Sequence, residues 1–209
     1  VISFDDVLIV LPSTTLDQIN SSTKSCILFP SGSYAYQGAI EITRTAQIVL
    51  GVGWPLLQAT TTAPILTVSS SQVAVAGLLL EISKDVGKVS SMLSLSAVGK
   101  GSALFDVFCR ILTPPTGTAS CDCMVKVDQD ACYLENLWLW VADHQEPDNQ
   151  DWARMRNPTG IEITGADVTA LCLAVEHQSG SGVVWNGARG SCYFFQSEFP
   201  YVNVPTQDV

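Results

Sequence analysis

Apolar and polar residues alternate over short stretches of this chain, and Gly, Ser, Asp or Pro turns separate the stretches. Examples are "AIEITRTAQIVLGVG", "APILTVSSSQVAVAGLLLEI", "CYLENLWLWVADH" and "GIEITGADVTALCLAVEH". Runs of about four to eight residues rich in Val, Ile, Leu and Thr are typical of β-strands. Helical spacing is confined to "TLDQINSS", with Thr15 as a cap, and to "DNQDWARMR". The pattern therefore predicts an all-β fold.

Several of these strands repeat one another. The stretches "VAGLLLEI", "FDVFCRIL", "ENLWLWVA" and "LCLAVEHQ" align when Gly77, Asp106, Asn136 and Cys172 are taken as equivalent, with separations of 29, 30 and 36 residues. Periods in this range indicate stacked repeats. We expect each repeat to be one coil of two or three short strands, and the stacked coils to bury a continuous apolar interior.

The alternation sorts the side chains of these strands by face. The inward set is Leu78, Leu80, Val107, Cys109, Leu137, Leu139, Leu173 and Val175. Two outward rows cross the sheet, one of Leu79, Phe108, Trp138 and Ala174 and one of Glu81, Arg110, Trp140 and Glu176. Rows with so many aromatic and charged side chains need a cover or a ligand.

The composition excludes several classes of function. Of 209 residues, 47% are apolar and 14% are charged, which excludes a disordered chain. A formal net charge of −10 without clustered Lys or Arg argues against nucleic acid as a partner. No apolar run approaches the roughly eighteen residues of a membrane span, and "VISFDDVLIVLPS" has no basic start. We expect a mature or excerpted soluble segment.

The seven cysteines indicate an oxidising compartment. Cys121, Cys123 and Cys132 crowd into "SCDCMVKVDQDAC", and both histidines lie elsewhere, so neither a metal nor another cofactor is expected. We expect at least two of these three to form disulfides, with reduced cysteines as the alternative. The odd total leaves one thiol free or paired with another chain. With the sequon at Asn20, this favours a secreted, extracellular protein.

Two stretches resemble known proteins. The stretch "ILFPSGSYAYQGAIEITRTAQIVLGVG" is similar to the first coil of many right-handed parallel β-helix proteins of the pectate-lyase-like superfamily. The stretch "YLENLWLWVADH…GIEITGADVTALCLAVEH…VVWNGARGSCYFFQSEFPY" resembles the narrower group of secreted exo-1,3-glucanase-like β-helices. The resemblance implies one right-handed parallel β-helix domain over residues 1–209, of about six or seven coils, which can be a fragment of a longer β-helix protein. It also implies a polysaccharide, β-glucan-like, as the molecule bound or cleaved.

Hydrolysis of a glycosidic bond needs two carboxyl groups, one protonated and one ionised, beside rings that stack on sugars. The candidate catalytic residues are Glu176, Glu198 and Asp143. The candidate substrate-binding residues are Trp138, Trp140, Trp185, Arg110, Arg189, His144 and His177. Asp-His and Glu-His pairs at strand ends also serve as hydrogen-bonded caps between coils, so "ADH" and "VEH" allow a structural role as well.

The segment "GVVWNGARGSCYFFQSEFPY" is interpreted as part packed edge and part site. Trp185, Tyr193 and either Phe194 or Phe195 are expected to continue the outward rows. Rings of this kind contribute on the order of 1 kcal/mol each when a sugar or a partner side chain stacks on them. Arg189 is expected to hold one of the two nearby glutamates ionised.

Two other functions compete with hydrolysis. Lyase chemistry needs acidic Ca²⁺ ligands and a basic residue, and the acidic residues in "DNQD" and at Asp128 and Asp130 are too sparse for it. A non-enzymatic structural or interaction subunit of an extracellular assembly would explain the outward rows as a protein interface. Its partner would be another β-helix chain, through a homo-oligomer or an intermolecular disulfide. Enzyme activity is therefore undecided by the sequence, and an active protein would be a glycoside hydrolase.

Overall fold

The computed structural model describes residues 2–143 and 152–201, which form two sheets of short strands. One sheet has ten strands: β1 (Val7–Ile9), β2 (Cys26–Phe29), β3 (Ser33–Ala35), β5 (Ile48–Gly51), β6 (Leu56–Gln58), β8 (Ala74–Ile82), β10 (Ala103–Ile111), β12 (Tyr133–Val141), β15 (Thr169–Glu176) and β17 (Ser191–Glu198). The other has seven: β4 (Ile40–Ile42), β7 (Leu66–Val68), β9 (Lys88–Leu95), β11 (Ala119–Val127), β13 (Met155–Arg156), β14 (Thr159–Ile163) and β16 (Val183–Trp185). A short helix α1 (Leu16–Asn20) and two 3₁₀ turns, Phe4–Asp6 and Trp152–Arg154, complete the described elements.

The chain passes from one sheet to the other and back, so it winds as a parallel β-helix. Every strand pair in the described ranges is parallel. The successive coils are β2 to β4, β5 to β7, β8 with β9, β10 with β11, β12 to β14, and β15 with β16. Six complete coils therefore stack in this part of the chain, between β1 at one end and β17 at the other. The predicted parallel β-helix is confirmed.

Each long strand of the ten-stranded sheet bends at one residue with a left-handed backbone. These residues are Gly77, Asp106, Asn136, Cys172 and Phe194, with φ between 51° and 69°. The strand registers place all five at the same level, which confirms the four positions taken as equivalent from the sequence. In the preceding coil, β5 pairs with the first half of β8 and β6 with its second half. The bend therefore divides the ten-stranded sheet into two faces, and the outward rows lie on the second.

The interior of the coils is apolar, as the alternation predicts. All eight side chains of the predicted inward set are at most 2% exposed. Buried residues of the seven-stranded sheet, such as Leu66 and Leu93, pack into the same cluster. Helix α1 lies against β4 and buries Ile19, and its N-terminus is fixed by reciprocal hydrogen bonds between Thr15 and Gln18, which confirms the predicted cap.

The predicted disulfides are wrong, because all seven cysteines are free thiols. Cys121 and Cys123 lie two residues apart on β11 and their side chains point the same way, so their Cβ atoms are about 6.6 Å apart, whereas a disulfide needs about 4 Å. Burial raises the pKa of each of these two thiols to about 12. Cys132 is buried too and precedes β12. The three thiols therefore act as small core residues.

Two further expectations concern helices. The stretch "DNQDWARMR" lies partly outside the described residues, and its described part is the 3₁₀ turn Trp152–Arg154 followed by β13 rather than an α-helix. Within the described ranges, no helix has both the length and the apolar character needed to cross a membrane.

Candidate functional site

The two outward rows expected from the sequence lie side by side on the second face of the ten-stranded sheet. The first row runs through Leu79, Phe108, Trp138, Ala174 and Gln196. The second row runs through Glu81, Arg110, Trp140, Glu176 and Glu198. Strand β17 adds the last residue to each row, and the two glutamates thereby become neighbours on adjacent strands.

Four rings form an aromatic strip along this face: Trp54, Phe108, Trp138 and Trp140. Trp54 stacks on Phe108 with ring centroids 4.5 Å apart, and Phe108 meets Trp138 edge to face at 6.0 Å. Trp138 and Trp140 stack at 5.0 Å. Trp138 and Trp54 are 37% and 47% exposed, so the strip offers ring faces and edges to solvent.

A pocket of about 320 Å³ opens beside the strip, where the row changes from a large to a small side chain. Its floor includes Ala174, which lies between Trp138 and Gln196 in the row. Phe194, at the bend of β17, forms part of its wall, and Glu176 borders it. Pockets that bind small ligands begin at about this volume and combine apolar walls with a few polar groups.

Glu176, which borders this pocket, and Glu198 are register partners on adjacent strands. Glu176 is 7% exposed, and its Oε2 atom accepts a hydrogen bond of 2.8 Å from Nε1 of Trp138. Glu198 is half-buried and accepts from the Tyr201 hydroxyl at 2.8 Å and from Nε2 of Gln196 at 3.0 Å. The hydrogen bonds from Tyr201 and then from His177 lower the pKa of Glu198, which keeps it ionised at neutral pH.

Behind Glu198 lies a buried acid and histidine pair. The side chains of Asp143 and His177 are fully buried, and Oδ1 of Asp143 is 2.6 Å from Nδ1 of His177. The other ring nitrogen, Nε2, is 3.3 Å from Oε2 of Glu198. The backbone N–H of Tyr201 donates to Oδ2 of Asp143 at 3.0 Å. Asp143 and His177 thus reach the site through Glu198 rather than by facing the pocket.

Arg110 lies on the same face but is paired with another glutamate. Its Nε and Nη2 atoms contact Oε2 of Glu81 at 2.7 and 2.6 Å, and Nε2 of Gln58 donates to Oε1 of Glu81 at 2.8 Å. Arg110 also borders a smaller groove of about 110 Å³ beneath Trp138 and Trp140. The Arg110 side chain is 33% exposed, so part of the guanidinium stays available as a hydrogen-bond donor.

Two predicted residues do not reach the site. Trp185 lies on β16 in the seven-stranded sheet, beside Ile163, and packs against the core, so it does not continue the outward rows. Arg189 makes two hydrogen bonds of 2.7 Å with the surface carboxylate of Asp167, so it is not the group that keeps a glutamate ionised. His144 lies outside the described residues.

Of the aromatic residues predicted on β17, Phe194 alone lines the pocket. Phe195 pairs with the inward Leu173, and Tyr193 lies on the first face of the sheet beside Leu171. Both are more than half exposed because no described strand lies beyond β17 in the stack. Of the two alternatives expected, Phe194 is therefore the ring that reaches the pocket, whereas Tyr193 and Phe195 lie elsewhere at this edge.

Sequence reasoning missed Trp54 and Tyr201. Trp54 lies in the turn before β6 with a left-handed backbone. The sequence "GVGWP" predicts a turn but not the side of the coil on which the Trp54 ring lies. Tyr201 follows Pro200, and the sequence "EFPY" favours a turn, which is the signal that would have placed the Tyr201 hydroxyl near Glu198. No group of three or more His, Cys, Asp or Glu side chains in the described residues is arranged to hold a metal ion.

Comparison with known proteins identifies related chains. The LAM55 pectate lyase-like domain matches residues 7–198. An exo-beta-1,3-glucanase from Streptomyces sp. SirexAA-E is 31% identical over 210 residues, covering 94% of this chain and 33% of the relative.

Two solved structures of sacteLam55A from Streptomyces sp. SirexAA-E share the fold. One, a variant in complex with glucose, gives a TM-score of 0.83 at 28% identity, over 97% of this chain and 37% of that one. Another gives 0.81 at 27% identity, over 94% and 37%. The chain thus spans about a third of the length of these relatives. Since the family match covers nearly the whole chain, the chain belongs to the LAM55 pectate lyase-like family, as its resemblance to glucanase-like β-helices implied.

Proposed function

We propose that this chain binds a β-1,3-glucan along the aromatic strip and hydrolyses it at the pocket. The observation that carries the proposal is the pairing in register of Glu198 with Glu176, which borders a pocket walled by Trp138 and Phe194. The sequence similarity to an exo-beta-1,3-glucanase supports the choice of glucan.

The chemistry follows from the pair of carboxyl groups. Cleavage of a glycosidic bond needs one carboxylic acid that protonates the departing sugar oxygen and one carboxylate on the other side of the bond. Glu176 and Glu198 supply two carboxyl groups in different surroundings, one buried against Trp138 and one held by Tyr201 and Gln196. Different surroundings allow different protonation states at one pH.

The aromatic strip has a separate task in this proposal. Flat faces of pyranose rings pack on indole and phenyl rings, each contributing on the order of 1 kcal/mol beyond the area buried. Trp138 and Phe108 adjoin the pocket and also the smaller groove, so a glucan lying across both would keep contact with the strip. The proposal includes secretion, because an insoluble or polymeric glucan does not enter cells.

The test is hydrolysis of laminarin and of short β-1,3-gluco-oligosaccharides by the protein and by matched amide variants. Glu176→Gln and Glu198→Gln keep the shape of each side chain and remove its proton chemistry, so each should lower kcat by roughly 10² to 10⁴-fold. Glu41→Gln, on the exposed side of β4, is the control and should leave kcat unchanged. Thermal unfolding verifies that all three variants fold.

The outcomes separate hydrolysis from binding alone. Full activity in both site variants would contradict the proposal. If the unmodified protein binds laminarin but releases no sugar, the chain is a binding module, and Trp138→Ala should weaken binding while Phe4→Ala, an exposed ring at the N-terminal end, should not. An absence of both binding and hydrolysis would favour the structural or interaction role.

A further inference from the structure

His177 is a buried ring between two carboxylates. Nδ1 lies 2.6 Å from Oδ1 of Asp143, and Nε2 lies 3.3 Å from Oε2 of Glu198. The side chains of Asp143 and His177 are inaccessible to solvent, whereas that of Glu198 is 38% exposed. The three groups therefore form a line from the interior of the coil to the edge of the candidate site.

The described contacts of the ring place acceptors at both of its nitrogens. Nδ1 faces two acceptors, the Asp143 carboxylate and the carbonyl oxygen of Val141 at 3.3 Å, so it carries a hydrogen. The Trp140 Nε1–H group, also 3.3 Å from Nδ1, would need the opposite arrangement, but the shorter contact with a charged acceptor outweighs it. Nε2 faces the Glu198 carboxylate, so each ring nitrogen has a carboxylate acceptor among the described contacts. A ring that donates to both is an imidazolium between two carboxylates.

We propose that Asp143 and His177 hold a proton behind Glu198 and return it to Glu198 in each catalytic cycle. Asp143 and His177 are positioning residues in this scheme, because both side chains are fully buried and act through Glu198, which is 38% exposed. The inference rests on the proposed function, since it assigns roles to the same two carboxyl groups.

Each proton in the proposed cleavage step has a donor and an acceptor. When a glucan displaces water, an ionised carboxylate becomes less stable, so the Nε2–H bond of His177 breaks and an O–H bond forms on Glu198. The ring stays neutral, with its Nδ1–H on Asp143. Glu198 then gives the proton to the departing sugar oxygen as its bond to the anomeric carbon breaks. A water molecule adds to that carbon and gives a proton to Glu176, and exchange with solvent restores the charged ring.

The other groups around the ring are compatible with this role. The Tyr201 ring lies 4.7 Å from the His177 ring, and its hydroxyl donates to the same Glu198 oxygen at 2.8 Å. The hydrogen bond with Glu198 raises the pKa of Tyr201, so the phenol keeps its proton and stays a donor. The titratable groups that the described residues place near the ring are thus Asp143, Glu198, Tyr201 and the adjacent Glu176.

Nuclear magnetic resonance tests the proton position without any substrate. The chain has two histidines, so ¹⁵N-labelled imidazole gives two sets of ring signals, and a His144→Gln variant assigns them. At pH 7 both nitrogens of His177 should be protonated, and Glu198→Gln should leave a hydrogen on Nδ1 alone. A singly protonated His177 ring in the unmodified protein would overturn the proposal.

Kinetics test the relay in turnover. His177→Gln should lower kcat on a β-1,3-gluco-oligosaccharide by roughly 10²-fold at pH 7, and the alkaline limb of its pH–rate profile should move to lower pH. An aryl β-glucoside that releases dinitrophenol needs no acid, so its cleavage should change much less. Asp143→Asn should act in the same direction, and Asp167→Asn, a surface carboxylate on another corner, should change neither.

Three results would overturn the relay or the function beneath it. Equal losses on both substrates with an unchanged pH profile would make the pair a structural cap. Movement of the acid limb to higher pH would make His177 an electrostatic partner of a basic Glu198. If the unmodified protein cleaves neither substrate, the proposed function fails, and the ring signals still decide the proton position. Should His177→Gln not fold, Asp143→Asn and the ring signals carry the test.

Discussion

At the residue scale, the bends of the coils depend on backbone conformations that few side chains accept. Asp106, Asn136, Cys172 and Phe194 adopt left-handed φ angles at the level where Gly77 stands. Asn and Asp accept this region more readily than other non-glycine residues. Nδ2 of Asn136 also donates to Oδ1 of Asp106 at 2.6 Å, so adjacent bends are tied to each other.

Substitutions of Asn136 separate these two contributions. Asn136→Gly removes the hydrogen bond and keeps an easy left-handed backbone, whereas Asn136→Ala removes both. We expect Asn136→Ala to lower the free energy of unfolding by roughly 1–2 kcal/mol more than Asn136→Gly, because of the steric penalty on Cβ. Urea titration of both variants measures the difference. Equal stability would show that the bend tolerates any side chain.

At the element scale, the pocket exists because residue 174 on β15 is an alanine, with a side chain smaller than those of its row neighbours Trp138 and Gln196. Ala174→Leu should fill the space beneath Trp138 and Gln196 and displace a sugar, so we expect kcat/KM for a gluco-oligosaccharide to fall by about 10²-fold. Because residue 174 faces outward, the thermal midpoint should barely change. Ala76→Leu, an outward residue on the first half of β8, is the matched control and should leave kcat/KM unaltered. An active Ala174→Leu variant would place the substrate elsewhere.

The strands also show what the sequence can and cannot predict. The rows through Trp138 and Glu176 followed from alternation, because a strand has two faces and the aligned repeats fixed which residues are neighbours. The prediction for Trp185 was wrong because β16 has three residues and joins the seven-stranded sheet, for which the sequence shows no aligned pattern. The prediction for Arg189 was wrong because its acidic partner, Asp167, lies one coil earlier.

The pocket could not be predicted from the sequence either. It depends on the small size of Ala174 and on the backbone bend at Phe194, which turns that ring towards the row. Likewise, the alternation brought Glu198 next to Glu176, but the contact of His177 with Asp143 depends on how the chain leaves β12 and β15. Contacts at strand ends follow from tertiary packing, and periodicity does not contain them.

At the scale of the whole molecule, a stack of coils distributes its stability unevenly. Each coil contacts only its neighbours, so an interior coil is covered on both sides and a terminal strand on one. Leu93 on β9 is fully buried between Leu66 and Val125 of adjacent coils. Phe195 on β17 has an inward register position but is 52% exposed.

Equivalent truncations at these two places should therefore differ. Leu93→Ala leaves a cavity that neighbouring coils cannot close, and we expect it to lower the free energy of unfolding by about 2–5 kcal/mol. Phe195→Ala removes a larger side chain from a half-open position and should change the free energy by about 1 kcal/mol or less. Urea titration followed by far-ultraviolet circular dichroism measures both. If Phe195→Ala proved as damaging as Leu93→Ala, this end of the β-helix would have to be covered in solution.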